Sequence, residues 1–430
     1  VPGGPAYKQG ELKAGDLILK VAQGEAEPVD VIDMRLDDAV RLIRGKKGTE
    51  VRLTVRKPDG KSTLIKIIRD VVYREDAFAK SSIIESQSGL GRIGYIKLPS
   101  FYVDFNNYNG RRSSADMREE LKKLAAEGIQ GLVLDLRDNG GGSLQDAVDI
   151  AGMFIETGPV VQVSSKTGAP QVLRDNDPNV FYGGPLVILV NEHSASASEI
   201  LAAAMQDYGR AVIVGDKYTF GKGTVQRFTA LPNAYHSTGD DFEAGELKIT
   251  TQKFYRINGG STQLNGVVPD IVLPDEFNYI EMGERELDYA MKWDKIRPAD
   301  YRTFPLMSRL MDFIKEGSRN RVAGDEQFNL IEENAKRMKR LRDIKSYTLN
   351  LKKFREKRAN DIAEAKKYEE IGKKEFSFKL SNPKPDLVTI DSDSTFKSRN
   401  EAWFKSLKTD MYLNESINIL NDMVTLAKKN

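Results

Sequence analysis

The sequence predicts an α/β multidomain chain, and three observations carry that prediction. Between about residues 73 and 278, compact apolar runs such as Leu132–Leu134, Pro185–Val190 and Arg210–Gly215 alternate with helical patterns, as strands of a buried parallel sheet do. Ahead of them, to about residue 72, strands of alternating polarity surround one amphipathic helix. Behind them, from about 279 to 430, the chain turns helical and charged, as in Glu333-Asn334-Ala335-Lys336-Arg337-Met338-Lys339-Arg340.

Each region has local reasons. Asp16–Val21 reads as a strand. Leu36, Ala39, Val40 and Ile43 fall at i, i+3, i+4 and i+7, the apolar face of one helix. Asp37 and Asp38 suit the positive N-terminal end of that helix, and Gly45 its C-terminus. Glu50–Val55 and Leu64–Ile68 alternate around a Pro58-Asp59-Gly60 turn, a hairpin signature. Arg92–Lys97 reads as the first strand of the central region, and Ser381–Asp386 as a loop between C-terminal helices.

Composition narrows the function. The chain has 430 residues, room for two or three domains, with 40% hydrophobic and 30% charged residues. A net charge of +2 gives no general drive towards nucleic acid. The basic C-terminal runs read first as solvated helix faces and only secondarily as an RNA-binding arm. No apolar run is long enough to cross a membrane. The first residue is Val1, which reads as the start of an ordered core without its signal peptide. The chain has no cysteine and two histidines, so most routes to nucleophilic or metal chemistry are closed.

A serine activated by a lysine stays open. Ser194-Ala195-Ser196-Ala197-Ser198-Glu199 leads into a strong helix former, and Thr219-Phe220-Gly221-Lys222-Gly223 follows a strand later. A serine hydroxyl is a weak nucleophile until a base takes its proton. Lysine is a base only when neutral, so its pKa of ~10.4 has to be lowered by roughly three units by burial or a positive neighbour. Ser196 and Glu199 fit the S-x-x-E capping box, which puts Ser196 at a helix N-terminus that favours negative charge. The same three serines also fit plain caps and turns. Asp138-Asn139-Gly140-Gly141-Gly142-Ser143 follows the apolar Leu132–Leu136. It fits an oxyanion-binding loop or a simple tight turn; neither phosphate-binding glycine motif is present.

With these residues in view, the chain closely resembles the tail-specific, or C-terminal processing, proteases of bacteria. The resemblance runs nearly end to end. It rests on Gly10-Glu11-Leu12-Lys13-Ala14-Gly15-Asp16, Leu134–Gly142, Ser194–Arg210, Thr219–Gln226, Gly259–Gln263, Gly266–Asp270 and Tyr412–Ser416. It implies a serine endopeptidase that engages the C-terminal tails of unfolded or envelope proteins, with an α/β serine-protease core of the crotonase/ClpP-like type over 73–278. It also implies a PDZ domain over 1–72 whose carboxylate-gripping loop lies upstream of Val1, and a helical C-terminal domain over 279–430. Carried over residue by residue, Ser196 is the nucleophile, Lys222 the general base and Gln226 the residue that orients the lysine. The backbone N–H groups of Gly141 and Ala197 form the oxyanion hole. Leu36, Ala39, Val40 and Ile43 line the tail groove, which takes a peptide by strand addition. The chain has one residue more than the family pattern between Gly215 and Lys222, which lengthens a turn. No cofactor or metal is implied; a periplasmic location and a lipoprotein adaptor are.

Three residues need separate expectations. His193 lies three residues before Ser196 and competes as a base, although the family pattern does not require it. Asp207 lies three helical turns beyond Ser196, ~16 Å away, and reads as a structural partner near the helix end, for Arg210. Gln226 is four residues from Lys222, ~13 Å in an extended strand, so a kink at Gly223 has to bring the two together. The competing functional reading is a catalytically idle PDZ and helical scaffold that holds protein tails.

Overall fold

The computed structural model describes all residues except 1–3, 71, 73–76, 87–90, 105–106, 108–109, 167, 232–244 and 428–430. The chain divides into two compact units, residues 1–75 with 384–407, and residues 76–383 with 408–430.

The first unit begins with a short helix α1 (Pro5–Gln9), followed by β1 (Leu17–Gln23), β2 (Val29–Asp30), α2 (Leu36–Ile43), β3 (Glu50–Arg56) and β4 (Ser62–Ile68). The strands form one antiparallel sheet in the order β2-β1-β3-β4. Residues alternate across β3, so Val51, Leu53 and Val55 face inward, and they pack with Val21, Ile65 and Ile67. The hairpin at Pro58-Asp59-Gly60 forms as its sequence dictates, with Arg56 opposite Ser62. Helix α2 spans the expected residues and is only half committed to this core. Ile43 packs against it, while Leu36 at the other end is 77% exposed.

The second unit is built on a seven-stranded sheet. Its elements begin β5 (Lys80–Ser86), β6 (Gly91–Lys97), α3 (Ser113–Ala126), β7 (Gly131–Asp135), α4 (Leu144–Gly152), β8 (Gly158–Ser164) and β9 (Gln171–Asp175). They continue β10 (Leu186–Val190), α5 (Ala197–Tyr208), β11 (Val212–Gly215), β12 (Thr224–Ala230), β13 (Glu246–Tyr255) and β14 (Ile271–Val272). Then come α6 (Pro305–Gly324), α7 (Glu326–Arg342), α8 (Leu351–Ala365) and β15 (Lys379–Ser381). Helices α9 (Lys384–Ser392) and α10 (Ser394–Lys408) follow; residues 384–407 belong to the first unit, and α11 (Met411–Ala427) returns to the second.

The large sheet has the order β14-β11-β10-β7-β6-β5-β15. From β14 to β6 neighbouring strands are parallel, and every residue of β7 and β10 is buried. This is the expected environment of an apolar run without alternation. A smaller antiparallel sheet, β12-β13-β8-β9, accompanies it. At the C-terminal end of β7, Arg137 bridges Asp135 and Asp410, both at 2.6 Å, and thereby fixes the residues before α11 to the sheet.

One expectation changes and another gains detail. Arg92–Lys97 is not the first strand, because β5 precedes it and pairs antiparallel with β6. Four consecutive buried residues, Ser81–Ile84, hide the alternation that would have marked β5. The helical stretch 279–430 gains detail. Its residues 384–407 group with the first unit, and Lys379–Ser381 adds an antiparallel edge strand beside β5. Three residues are too few to show a period, and only Asn382 and Pro383 separate that strand from α9.

Candidate active site

The loops that carry the candidate residues leave the C-terminal ends of β7, β10 and β11, which lie side by side in the sheet. Open parallel sheets bind their ligands at that end, where loops from neighbouring strands converge.

The structure separates the three serines. Ser194 is fully buried; its Oγ donates to Leu136 O at 2.8 Å and accepts from Asn191 N at 2.9 Å. Ser198 is fully buried and donates to Asn139 O at 2.7 Å. These two hydroxyls hold the turn together. Ser196 alone of the three is partly exposed, and its backbone sits at φ 57°, ψ −111°. A side chain in that region costs of order 1–3 kcal/mol and persists only where the surroundings over-determine it. Here they do: Ala195 N donates to Asn139 O at 3.0 Å, and Ser196 N donates to Glu199 Oε2 at 2.8 Å. Helix α5 starts immediately after, so Ser196 stands at its N-terminus.

The glycine loop lies directly on this turn. A Cβ on Gly141, whose φ is 98°, would come within 2.7 Å of Ala195 O and 2.8 Å of the Ser196 Cβ. Glycine is therefore required for the approach as well as for the backbone conformation. Asn139, fully buried, clamps the loop: its Nδ2 donates to Leu98 O at 2.8 Å, and its Oδ1 accepts from Gly141 N at 2.9 Å. The Gly141 N–H thus has an acceptor already. Ala197 N–H, at the first turn of α5, makes no hydrogen bond among the described residues.

Lys222 comes from the loop after β11. Its Nζ donates to Gln226 Oε1 at 3.0 Å. The spacing problem is solved in two ways. Lys222 lies before β12, and the pairing of β12 with β13 slips between Val225 and Gln226, a bulge that re-aims the Gln226 side chain. Burial pushes the lysine pKa below its ordinary value, and the nearby Lys248 charge adds to the effect. Among the described residues Nζ does not hydrogen-bond Ser196 Oγ.

Glu199 connects serine and lysine. It is fully buried, and its carboxylate accepts four hydrogen bonds. Oε2 takes Ser196 N at 2.8 Å and Lys222 N at 3.0 Å; Oε1 takes Thr219 Oγ1 at 2.6 Å and Gly221 N at 2.7 Å. One side chain thus fixes both the serine turn and the lysine loop. Burial pushes its pKa up to about 7. The capping-box spacing announced only the bond to Ser196; the other three donors lie 20 or more residues away. Asn139 was likewise invisible as a clamp, although asparagine before glycines signals a turn.

The other expectations resolve as follows. His193 has an exposed side chain and sets its Nε2 3.2 Å from Glu192 Oε1. Asp207 is structural, but its partner is not Arg210. It pairs with Arg256 at 2.6 Å and accepts from Asn258 at 2.8 Å. Arg210 turns inward to Phe154 O and Tyr182 O at 2.8 and 2.7 Å. The helix directs Asp207 towards the chain after β13, where Arg256 waits. Leu36, Ala39, Val40 and Ile43 share one helix, α2, in the first unit.

Comparison with known proteins gives the family. Residues 92–273 match the model of peptidase family S41, residues 277–425 that of the C-terminal domain of tail specific protease, and residues 1–56 that of the PDZ domain. The chain belongs to the tail-specific proteases of this peptidase family. It is 41% identical to the tail-specific protease of Haemophilus influenzae over 378 residues, 87% of this chain and 52% of that protein. It is 33% identical to the carboxyl-terminal-processing protease of a Picosynechococcus species, over 68% of this chain and 64% of that one. The chain therefore spans between half and two thirds of the length of these relatives. Among solved structures it is similar to a photosystem II D1 C-terminal processing protease, at 29% identity and a TM-score of 0.40, over 64% of this chain and 67% of that one. No described helix is long and apolar enough to cross a membrane.

Proposed function

We propose that this chain is the proteolytic part of a serine endopeptidase with a Ser196–Lys222 dyad, acting on proteins presented by their C-terminal tails. The observation that carries the reading is the shared carboxylate. Glu199 accepts the amides of both Ser196 and Lys222, so the one strained, partly exposed serine and the one lysine with a depressed pKa among the described residues sit on loops fixed to each other. In this mechanism neutral Lys222 Nζ takes the Ser196 Oγ proton as Oγ attacks the scissile carbonyl carbon. The resulting oxyanion is stabilised at the N-terminus of α5, where Ala197 N–H is available. Collapse breaks the C–N bond, and the lysine returns its proton to the leaving amine. Water then attacks the acyl-serine as lysine accepts its proton, and the ester C–Oγ bond breaks as that proton passes to Ser196 Oγ. Gln226 holds Nζ through its Oε1. Gly141 joins the oxyanion hole when its N–H exchanges the Asn139 acceptor for the oxyanion.

Tail recognition is assigned to the α2 groove of the first unit, bounded by Leu36, Ala39, Val40 and Ile43, with the peptide adding a strand beside it. Protein substrates of the cell envelope, a periplasmic location and a lipoprotein adaptor belong to the same reading. The deciding experiment is cleavage of a disordered protein substrate by the wild type and by Ser196→Ala and Lys222→Arg, each checked for fold by circular dichroism. Substantial proteolysis by either folded variant rules the dyad out.

A further inference from the structure

Glu192, Asp216 and Asp275 follow the C-terminal ends of β10, β11 and β14, three neighbouring strands of the parallel sheet. That topology brings one carboxylate oxygen from each residue within 4.8 Å of the others. Glu192 and Asp216 are each 7% exposed, and Asp275 is half-buried. Hydrogen bonds supplied to the trio are few. Glu192 N donates to Asp216 Oδ2 at 3.1 Å, Phe277 N to Asp275 Oδ1 at 2.8 Å, and the Tyr412 hydroxyl lies 3.4 Å from Asp275 Oδ2. His193 Nε2 occupies one side of Glu192, at Oε1. The other oxygen, Glu192 Oε2, is buried with no hydrogen-bond partner. Among the described residues no lysine or arginine pairs with any of the three; Lys217 lines the same void, but its Nζ lies over the Tyr218 ring.

Buried carboxylates facing one another cannot all stay ionised without a counter-charge. We propose that Glu192, Asp216 and Asp275 form a binding site for one divalent, oxygen-seeking cation of the calcium class. Calcium–oxygen bonds of about 2.3–2.6 Å allow ligands on one ion to lie up to roughly 5 Å apart, which the trio satisfies. The void between them is about 10 Å³, the scale of one ion or one water. Burial, reinforced by the facing Glu192 carboxyl, pushes Asp216 far above the usual carboxylate range when nothing else neutralises the site. A bound cation removes that cost. It also ties the segment leading to Ser196 to the start of the Lys222 loop, because Glu192 and Asp216 lie on those two segments.

The test is independent of proteolysis. Terbium(III), a calcium mimic, is titrated into the intact chain with tyrosine excitation, since the Tyr412 hydroxyl lies beside Asp275. Saturable emission at one equivalent, displaced by calcium, is expected, and it should fall at least ~10-fold in Glu192→Gln, whose neutral amide is a poor ligand for a hard cation. Calcium should raise the Tm of the wild type by a few degrees and leave that of Glu192→Gln unmoved. Asp275→Asn, at a half-buried position, gives a second variant with the same expectation should Glu192→Gln fail to fold. The proposal is overturned if the wild type shows neither saturable emission nor a calcium-dependent Tm. It is equally overturned if both folded variants bind terbium as the wild type does. A Tm that ignores calcium but falls as pH rises would assign the trio to a shared proton instead.

Discussion

The serine turn and the lysine loop leave adjacent parallel strands, β10 and β11, yet they are held in different ways. The serine turn is embedded. Ser194 and Ser198 are fully buried, Ala197 is 1% exposed, and every tether is to backbone or to a buried side chain. The lysine loop is fixed along its backbone, where Lys222 O accepts from Thr262 Oγ1 and Gly223 N donates to Gln263 Oε1, and only its side-chain end is loosely held. Its amides at Gly221 and Lys222 bind Glu199, but the Nζ end relies on one bond to Gln226, which is exposed. On the proposed mechanism the nucleophile is therefore preorganised by the core, whereas the base is positioned by one reversible contact. That difference fits a protease whose readiness is controlled through its base: moving Nζ costs one exposed hydrogen bond, ~1 kcal/mol, while moving Ser196 means unpacking the turn at the C-terminal end of a central strand.

The comparison breaks most completely at Lys222. Lys222→Arg keeps the positive charge but cannot supply a neutral base, so kcat/KM should fall by at least ~10³, comparable with Ser196→Ala. The pH profile follows from the depressed lysine pKa. Below that pKa Nζ is protonated and cannot accept the serine proton, so activity should drop about tenfold per pH unit on the acid side. The depressed value places this limb below the ordinary lysine range. A limb at the free-lysine pKa would mean that burial does not tune the base.

Glu199→Gln sharpens the comparison by striking both loops at their common root. Glutamine keeps the shape but leaves two of the four donors facing an NH2 group, whichever way it is turned. Each unpaired buried donor costs about 1–3 kcal/mol. A lower Tm and a kcat loss of roughly 10²-fold are expected, with little change in KM because Glu199 touches no substrate. A loss confined to KM would mean that Glu199 does not position the dyad.

Gln226→Ala removes only the exposed contact. If the base is held as loosely as the structure indicates, kcat should fall roughly fivefold, the ~1 kcal/mol of one exposed hydrogen bond. Thermal stability should be unchanged, since Gln226 lies on the exposed face of β12. Unfolding of this variant would show that the lysine loop is as embedded as the serine turn.

What the sequence made legible follows the same division. Ser196 and Lys222 stood out as candidates because the chemistry admits few residue types in a chain without cysteine, and β7, β10 and β11 were readable because parallel strands buried on both faces read as apolar runs. Helix α2 was readable from its apolar spacing. What escaped depends on long-range placement. The Glu199 donors, the Asn139 clamp and the carboxylate trio come from residues that meet only once the strand order is known. The Lys222–Gln226 bond needed a bulge that no spacing rule announces. The partner of Asp207 was misassigned because a near neighbour, Arg210, looked sufficient while Arg256 lay 49 residues on. β5 and β15 escaped for lack of a visible period.

In the first unit, Leu36→Asp probes the tail groove rather than the dyad. Leu36 is 77% exposed, so the substitution should not disturb the fold. It places a negative charge beside the groove that is proposed to take an apolar tail, so kcat/KM should fall severalfold for a tailed substrate, with about 1–3 kcal/mol at stake in one apolar side chain. Cleavage of the same substrate without its tail should be untouched. Equal losses for both substrates would remove α2 from tail recognition and leave the chemistry at Ser196 standing.

The smallest effect is expected at His193, and it tests whether the two loops account for the whole dyad. Histidine is the commonest general base, and this one lies three residues from Ser196. Its geometry argues against that role. The side chain is exposed, and its Nε2 is directed to Glu192 Oε1 at 3.2 Å, on the side of the turn where the acidic trio lies. The lysine, by contrast, is tied to the serine turn through Glu199. His193→Ala should therefore keep kcat/KM within about twofold of wild type, the scale of a surface substitution of under 0.5 kcal/mol, and should leave the acid limb of the pH profile where Lys222 sets it. Loss of activity on the scale of Ser196→Ala, with the fold intact, would restore a serine–histidine pairing and reduce Lys222 to a bystander.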